Sequence, residues 1–133
     1  VDMLESHPEA SYVYSSFKWG WKNFRAVPFD PTILRQRNIA HTTSLIRREH
    51  FPGFDESLTK FQDWDLWLTL LERGKRGVAI PQTLFHINPR GGTMSKWAPS
   101  FWYLIPWRPL RHLWPGVRRY EFARELIIHK PPP

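Results

Sequence analysis

The sequence predicts an α/β fold, in which strands and helices alternate along the chain. Residues 11–17 are rich in aromatic and β-branched side chains and follow the breaker His7-Pro8, which predicts a strand. Residues 59–73 repeat large apolar side chains at helical spacing. Two short apolar runs, 77–81 and 83–87, predict further strands that a proline divides.

Local composition assigns the remaining segments. In chain order these are a helix end at 1–4, an irregular connection at 18–37, a strand at 38–46, a helical turn at 47–50, a turn-rich loop at 51–56, a flexible loop at 88–96 and a final helix at about 117–129. The connection is long for a compact domain, and such connections often carry function. About two helices and three or four strands result, which is few for a complete α/β sheet.

The composition limits the class of protein. A chain of 133 residues fits one domain with a modest core, or part of a larger domain. The absence of cysteine excludes disulfides and thiolate metal sites. No apolar run approaches the roughly 20 residues of a membrane-spanning helix. A net charge of +7 with 8 tryptophans favours an anionic partner, although no nucleic-acid-binding motif is present.

The predicted helix carries the residues of greatest interest. Thr59 and Gln62 have the spacing of a capping box, so the helix is predicted to start at Thr59 and to end before Gly74. Asp63 then lies near the positive end of the helix dipole, a position that favours negative charge. An ionised aspartate beside tryptophans could accept a proton, but the same pattern also marks ordinary helix starts. Asp65 is expected to form an ion pair or to lie on the solvated surface.

Several segments together resemble the second half of an inverting family 2 glycosyltransferase with the GT-A fold. The matching segments are Asn38-Ile39, residues 43–49, residues 53–58, residues 62–68, Glu72-Arg73-Gly74, Leu84-Phe85-His86 and residues 92–95. The resemblance implies a partial GT-A fold that lacks the N-terminal nucleotide-binding strands. Residues 1–96 would then be the acceptor side of the catalytic domain, and 97–133 a basic, aromatic, proline-rich arm and helix.

The resemblance also implies a reaction. Such enzymes transfer a sugar from a nucleotide diphosphate donor to an acceptor hydroxyl with inversion, and a carboxylate at a helix start acts as general base. That residue corresponds to Asp63, with Gln62 as its neighbour. Mg²⁺ or Mn²⁺ on an Asp-x-Asp motif would stabilise the leaving diphosphate, but the resemblance places that motif before Val1. The chain alone is therefore expected to be an inactive fragment.

Further substrate-binding candidates come from the resemblance and from residue chemistry. Asp55 lies in a loop that passes under the acceptor in the family. Trp64 offers a ring for a sugar, although its helical spacing favours a core position. Arg90 with Gly91 and Gly92 forms a loop whose backbone donors suit a diphosphate.

Other polar residues are weaker candidates. Arg47 and Arg48 could bind a phosphate or be solvated helix arginines. Many relatives have a metal-approaching histidine where this chain has Asn88, a poor ligand for Mn²⁺, with His86 two residues earlier. Three histidines have no ligand-like spacing and receive no role: His41, His50 and His112.

The C-terminal arm, 97–130, interleaves aromatic and basic residues. This composition predicts peripheral contact with an anionic membrane at its cytoplasmic face, whereas the alternative is an arm packed on the catalytic domain. A non-catalytic module that binds an anionic surface is accordingly the second functional hypothesis. Open strand edges in a partial sheet would also favour a homodimer.

Overall fold

The computed structural model describes residues 1–58, 60–88 and 125–129. The elements in chain order are α1 (Asp2–Ser6), β1 (Ala10–Trp19), β2 (Lys22–Phe24), α2 (Pro31–Gln36), β3 (Leu45–Ile46), a 3-10 turn (Arg48–His50), α3 (Gln62–Glu72) and β4 (Arg76–Ile87). The predicted α/β class is confirmed. None of the helices in the described ranges is both long and apolar enough to cross a bilayer.

The sheet has four strands and is built around β1. β4 pairs with β1 in parallel along the whole strand, from Ala10 to Trp19. β2 is antiparallel to the end of β1, and β3 is antiparallel to its beginning. Because both short strands pair with β1 residues that also pair with β4, they must share the opposite edge of β1.

The connection 18–37 is more regular than predicted. A two-residue turn, Gly20-Trp21, joins β1 to β2, with Gly20 at φ 57°, as a glycine in the first central position of a tight hairpin requires. Trp21 at the tip is 89% exposed. Helix α2 follows, where the Asp30 carboxylate accepts hydrogen bonds from the first-turn backbone and Pro31 occupies a first-turn position that needs no N–H.

Two strand predictions are wrong in extent. The predicted strand at 38–46 is reduced to β3, because Asn38 and His41 direct their side chains into local turns. The two runs at 77–87 form one strand, β4, in which the register shifts around Pro81. The Ser16 hydroxyl donates to the Pro81 carbonyl there and accepts from the Ala26 N–H. The Pro81 carbonyl therefore has a hydrogen-bond donor at the bulge, where proline itself has no N–H to give.

The main core lies where α3 covers the sheet. Trp67 stacks on Tyr12 of β1 with ring centroids 4.5 Å apart, and both residues are almost completely buried. Leu34 of α2 joins the same cluster, as does Ile127 near the C-terminus. The C-terminal segment 125–129 therefore contributes a buried side chain to the core, and in this segment the arm packs on the domain. Most of 97–130 lies outside the described part of the chain.

A smaller cluster forms where α1 meets β1. Leu4, Ala10 and Val13 are its buried members. Arg47 donates from its guanidinium to the backbone carbonyls of Ala10, Leu4 and His7. Arg47 thus fastens α1 to the sheet through Nε and Nη2, a structural role that neither of its two sequence interpretations included.

Candidate functional site

Helix α3 presents Asp63 in its first turn. The helix begins at Gln62 rather than Thr59, after Phe61 in the left-handed conformation at φ 60°. Gln62 Nε2 donates to the Leu58 carbonyl at 2.7 Å; Thr59, its partner in the predicted capping box, lies outside the described residues. Asp63 is half-buried, and one carboxylate oxygen accepts from the Trp64 N–H at 2.9 Å.

Asn38 holds the other oxygen of this carboxylate. Its Nδ2 donates to Asp63 Oδ2 at 2.9 Å, and its Oδ1 accepts from the Ala40 N–H at 3.2 Å. Because the amide oxygen is occupied by a donor, the nitrogen must face the carboxylate. The orientation of Asp63 is therefore set by two hydrogen bonds from different parts of the chain.

The two tryptophans of α3 fix the segment that carries Asn38. Trp64 Nε1 donates to the Leu34 carbonyl at 2.7 Å, and Trp67 Nε1 donates to the Ala40 carbonyl at 3.0 Å. Both indoles are at most 2% exposed. Trp64 therefore has no ring face available to a sugar; it belongs to the core and positions the segment on either side of Asn38.

His41 lies near Asn38 and Asp63. Its Nδ1 accepts from the Thr43 N–H at 3.3 Å, and its ring packs against Phe17 and Phe85 with centroids 5.1 and 5.5 Å away. Burial lowers the pKa of His41, although the negative charge of Asp63 opposes the shift. The ring is accordingly neutral at pH 7, with its proton on Nε2.

A cleft of about 230 Å³ opens along the same segment. Its walls come from β1, β2, the chain after β2 and the chain after α2: Ser15, Phe17, Phe24, Arg25, Ala26, Val27, Arg37, Asn38, Ile39, Ala40 and His41. Tyr14 Oη donates to the Val27 carbonyl at 2.7 Å and so anchors one wall. Burial raises the pKa of Tyr14 to about 12, which keeps this hydroxyl a donor.

Among the predicted site residues that the structure describes, none belongs to the cleft lining; Asp63 is joined to the cleft through its hydrogen bond with Asn38. Asp55 caps its own turn, accepting from the Ser57 N–H at 3.0 Å, and Gln62 is bound to Leu58. Neither lines the cleft. Arg90, Gly91 and Gly92 lie outside the described residues.

Asp65 cannot join Asp63 at a metal ion. It is 5% exposed, so of its two predicted positions the solvated surface is wrong and the ion pair stays a prediction. Residues two apart on a helix also do not face each other. The described residues also hold no cluster of three histidine, aspartate or glutamate side chains that could bind a metal.

Sequence reasoning gave no role to Asn38 or His41. Asn38 is 25 residues from Asp63, and neither helical nor strand periodicity links positions so far apart. The only signal was the presence of Asn38 among the segments that resemble the glycosyltransferases. A search with the sequence found no matching protein-family model and no matching curated protein.

Proposed function

We propose that the chain is the acceptor-side part of an inverting, nucleotide-sugar-dependent glycosyltransferase with a partial GT-A fold, and that Asp63 is the general base. The observation that carries the proposal is the Asp63 carboxylate at a helix start, half-buried and held by Asn38 beside a cleft. The segments that resemble family 2 enzymes support the same assignment.

The proposed step needs one proton acceptor. The oxygen of an acceptor hydroxyl attacks the anomeric carbon of the donor sugar while Asp63 takes its proton. The bond from that carbon to the diphosphate oxygen breaks, and the nucleotide diphosphate leaves with the electron pair. Attack opposite the leaving group inverts the anomeric carbon.

The residues around Asp63 suit this role. A base must approach the hydroxyl to about 2.6–3.2 Å in a fixed orientation, and Asn38 fixes the carboxylate without adding a second negative charge. His41 is neutral at pH 7 and so does not place a positive charge beside the Asp63 carboxylate. Mg²⁺ or Mn²⁺ at the donor diphosphate would be bound by a motif outside this chain, so the chain alone should bind nucleotide sugars weakly.

Replacing the carboxylate tests the base directly. In the full-length protein, Asp63→Asn should lower the rate of transfer by about 10²- to 10⁴-fold, the usual contribution of a general base. The amide can still occupy the position but cannot accept the proton. Donor affinity, measured by calorimetry, should remain nearly unchanged.

Asp30→Asn is the matched control. Asp30 also starts a helix, and asparagine caps a helix as well as aspartate does, so this variant should transfer at the normal rate. Near-normal turnover by Asp63→Asn would remove Asp63 as the base.

A second candidate function is a module that docks on an anionic membrane, and the β1–β2 hairpin favours it. Trp21 is 89% exposed at the tip, with Lys18 and Lys22 beside it and no acidic residue from 10 to 29. Exposed tryptophan with neighbouring lysines suits the headgroup region of an anionic bilayer. In the glycosyltransferase, the same hairpin would hold the cleft near a lipid-linked acceptor at the cytoplasmic face.

Vesicle sedimentation tests this candidate. The chain should bind vesicles that contain phosphatidylserine, bind less as salt rises, and bind more weakly as Trp21→Ala. Phe54→Ala removes another exposed aromatic ring, 48% exposed and distant in sequence, and should have no effect. Equal binding to neutral vesicles, or none to anionic ones, would contradict membrane docking.

A further inference from the structure

The cleft beside Asp63 is lined by basic side chains and by no acidic ones. Its lining holds three ionisable side chains, Arg25, Arg37 and His41, and no aspartate or glutamate. Arg25 and Arg37 are exposed, so both guanidinium groups are accessible to a ligand. Guanidinium groups bind carboxylates and phosphates through paired, charge-assisted hydrogen bonds.

The floor of the cleft is aromatic. Phe24, Phe17 and Phe85 stack across three neighbouring strands, with centroids 4.9 and 5.1 Å apart and rings within 8° of parallel. Phe17 and Phe24 line the cleft, and His41 packs on the same stack. The faces of Phe17 are covered by Phe24 and Phe85, and Lys22 lies over Phe24, so these rings offer apolar edges to the C–H groups of a sugar while nearby polar groups orient its hydroxyls.

The position of the cleft indicates which substrate it takes. Asn38 lines the cleft and contacts the Asp63 carboxylate at 2.9 Å. A sugar bound against the aromatic residues of the cleft would therefore be separated from the proposed base by a single side chain, that of Asn38. That is the place of the acceptor, whose hydroxyl must lose a proton, rather than of the donor diphosphate.

We propose that this cleft binds an acidic acceptor saccharide, one whose sugar carries a carboxylate or a phosphate that Arg25 and Arg37 recognise. The inference rests on the proposed glycosyltransferase function and adds the chemical class of the acceptor. Charge selects the sugar, and the aromatic lining places it against Asn38, the hydrogen-bond partner of Asp63.

Binding by the full 133-residue chain tests the selectivity without requiring transfer. Methyl β-glucuronide, glucose 6-phosphate and methyl β-glucoside are titrated into ¹⁵N-labelled protein, with amide shifts of residues 37–41 as the readout. At least one acidic sugar should bind about 10-fold more tightly than the neutral glucoside, the usual effect of one charge-assisted hydrogen bond. The tighter of the two acidic sugars identifies the anion.

Matched variants locate the effect. Arg25→Gln and Arg37→Gln should each reduce the preference for the acidic sugar several-fold and leave the neutral sugar unchanged. Arg76→Gln removes an exposed arginine at the opposite end of β1 and should change nothing. Equal affinity for acidic and neutral sugars would overturn the inference, as would tighter binding of uridine diphosphate at the same amides.

The two proposals fail separately. Selective binding of acidic sugars together with normal transfer by Asp63→Asn would overturn the general base and leave the selectivity of the cleft standing. Loss of transfer in Asp63→Asn with no preference between charged and neutral sugars would overturn only the acidic acceptor.

Discussion

Single residues decide how the Asp63 carboxylate is presented. Asn38 donates to one oxygen, the Trp64 backbone donates to the other, and Ala40 keeps the Asn38 amide from turning over. Both of these donors to the carboxylate are neutral groups. A cation in place of the amide would bind the carboxylate more strongly and oppose its protonation, so a neutral donor suits a group that must accept a proton.

His41 makes the stability of the protein depend on pH. Burial lowers its pKa below the ordinary 6.5, so the unfolded chain binds the proton more tightly than the folded protein does. The free energy of unfolding should therefore fall as pH drops from about 6.5 through the lower pKa of the folded state, with no contribution from His41 at higher pH. The charge of Asp63 reduces the size of this effect.

Urea unfolding at pH 7.5 and 5.5 measures this pH dependence of the free energy of unfolding. Wild-type protein should lose more stability between these values than His41→Asn, which keeps a polar side chain but does not titrate. The same loss in both proteins would show that other groups cause the pH dependence.

At the scale of elements, the contact between β1 and β4 depends on a missing side chain. Gly77 pairs beside Tyr12, and a Cβ at this position would overlap the Tyr12 ring. That ring cannot move aside because it is fully buried and stacked on Trp67. Glycine is required at residue 77 for space, since its backbone is not in the left-handed region.

Gly77→Ala should lower the free energy of unfolding by about 1–3 kcal/mol, the usual cost of overpacking a core. Denaturant unfolding measures the change, and Gln82→Ala, exposed on the same strand, serves as the control. In a Tyr12→Leu background, the cost of Gly77→Ala should shrink because the obstructing ring is gone. An unchanged cost in that background would mean that the ring is not responsible.

For the whole molecule, one core joins distant parts of the chain. α3 lies over the sheet, α2 packs beside it, and the 125–129 segment adds Ile127, which is 4% exposed. Its neighbours Leu126 and Ile128 are 49% and 43% exposed. The C-terminal segment thus contributes through a single buried side chain, and its other apolar residues remain available at the surface.

Ile127→Ala should reduce the free energy of unfolding by about 2–5 kcal/mol, as for other large-to-small core changes. Ile128→Ala makes the same change one residue away on an exposed side chain and should cost well under 1 kcal/mol. Chemical denaturation of the two variants gives the comparison. Similar small losses in both would mean that the segment does not stabilise the core.

Local patterns were enough to predict the elements whose burial is periodic. The repeat of apolar residues in 59–73 predicted α3 and placed Asp63 in its first turn, and the strand formers of 11–17 predicted β1. The excess of basic residues likewise indicated an anionic ligand. These properties are local, because each depends only on which face of a short segment is apolar or on a sum of charges.

The surroundings of Asp63 depend on tertiary packing. The partner Asn38 comes from a segment predicted as a strand, and the cleft walls come partly from a connection predicted as irregular. Pro81 suggested a strand break, but Ser16 satisfies the Pro81 carbonyl and β4 continues. A local pattern reports that a segment is buried but not which distant group it meets, since that depends on how the tryptophans of α3 pack against α2 and β1.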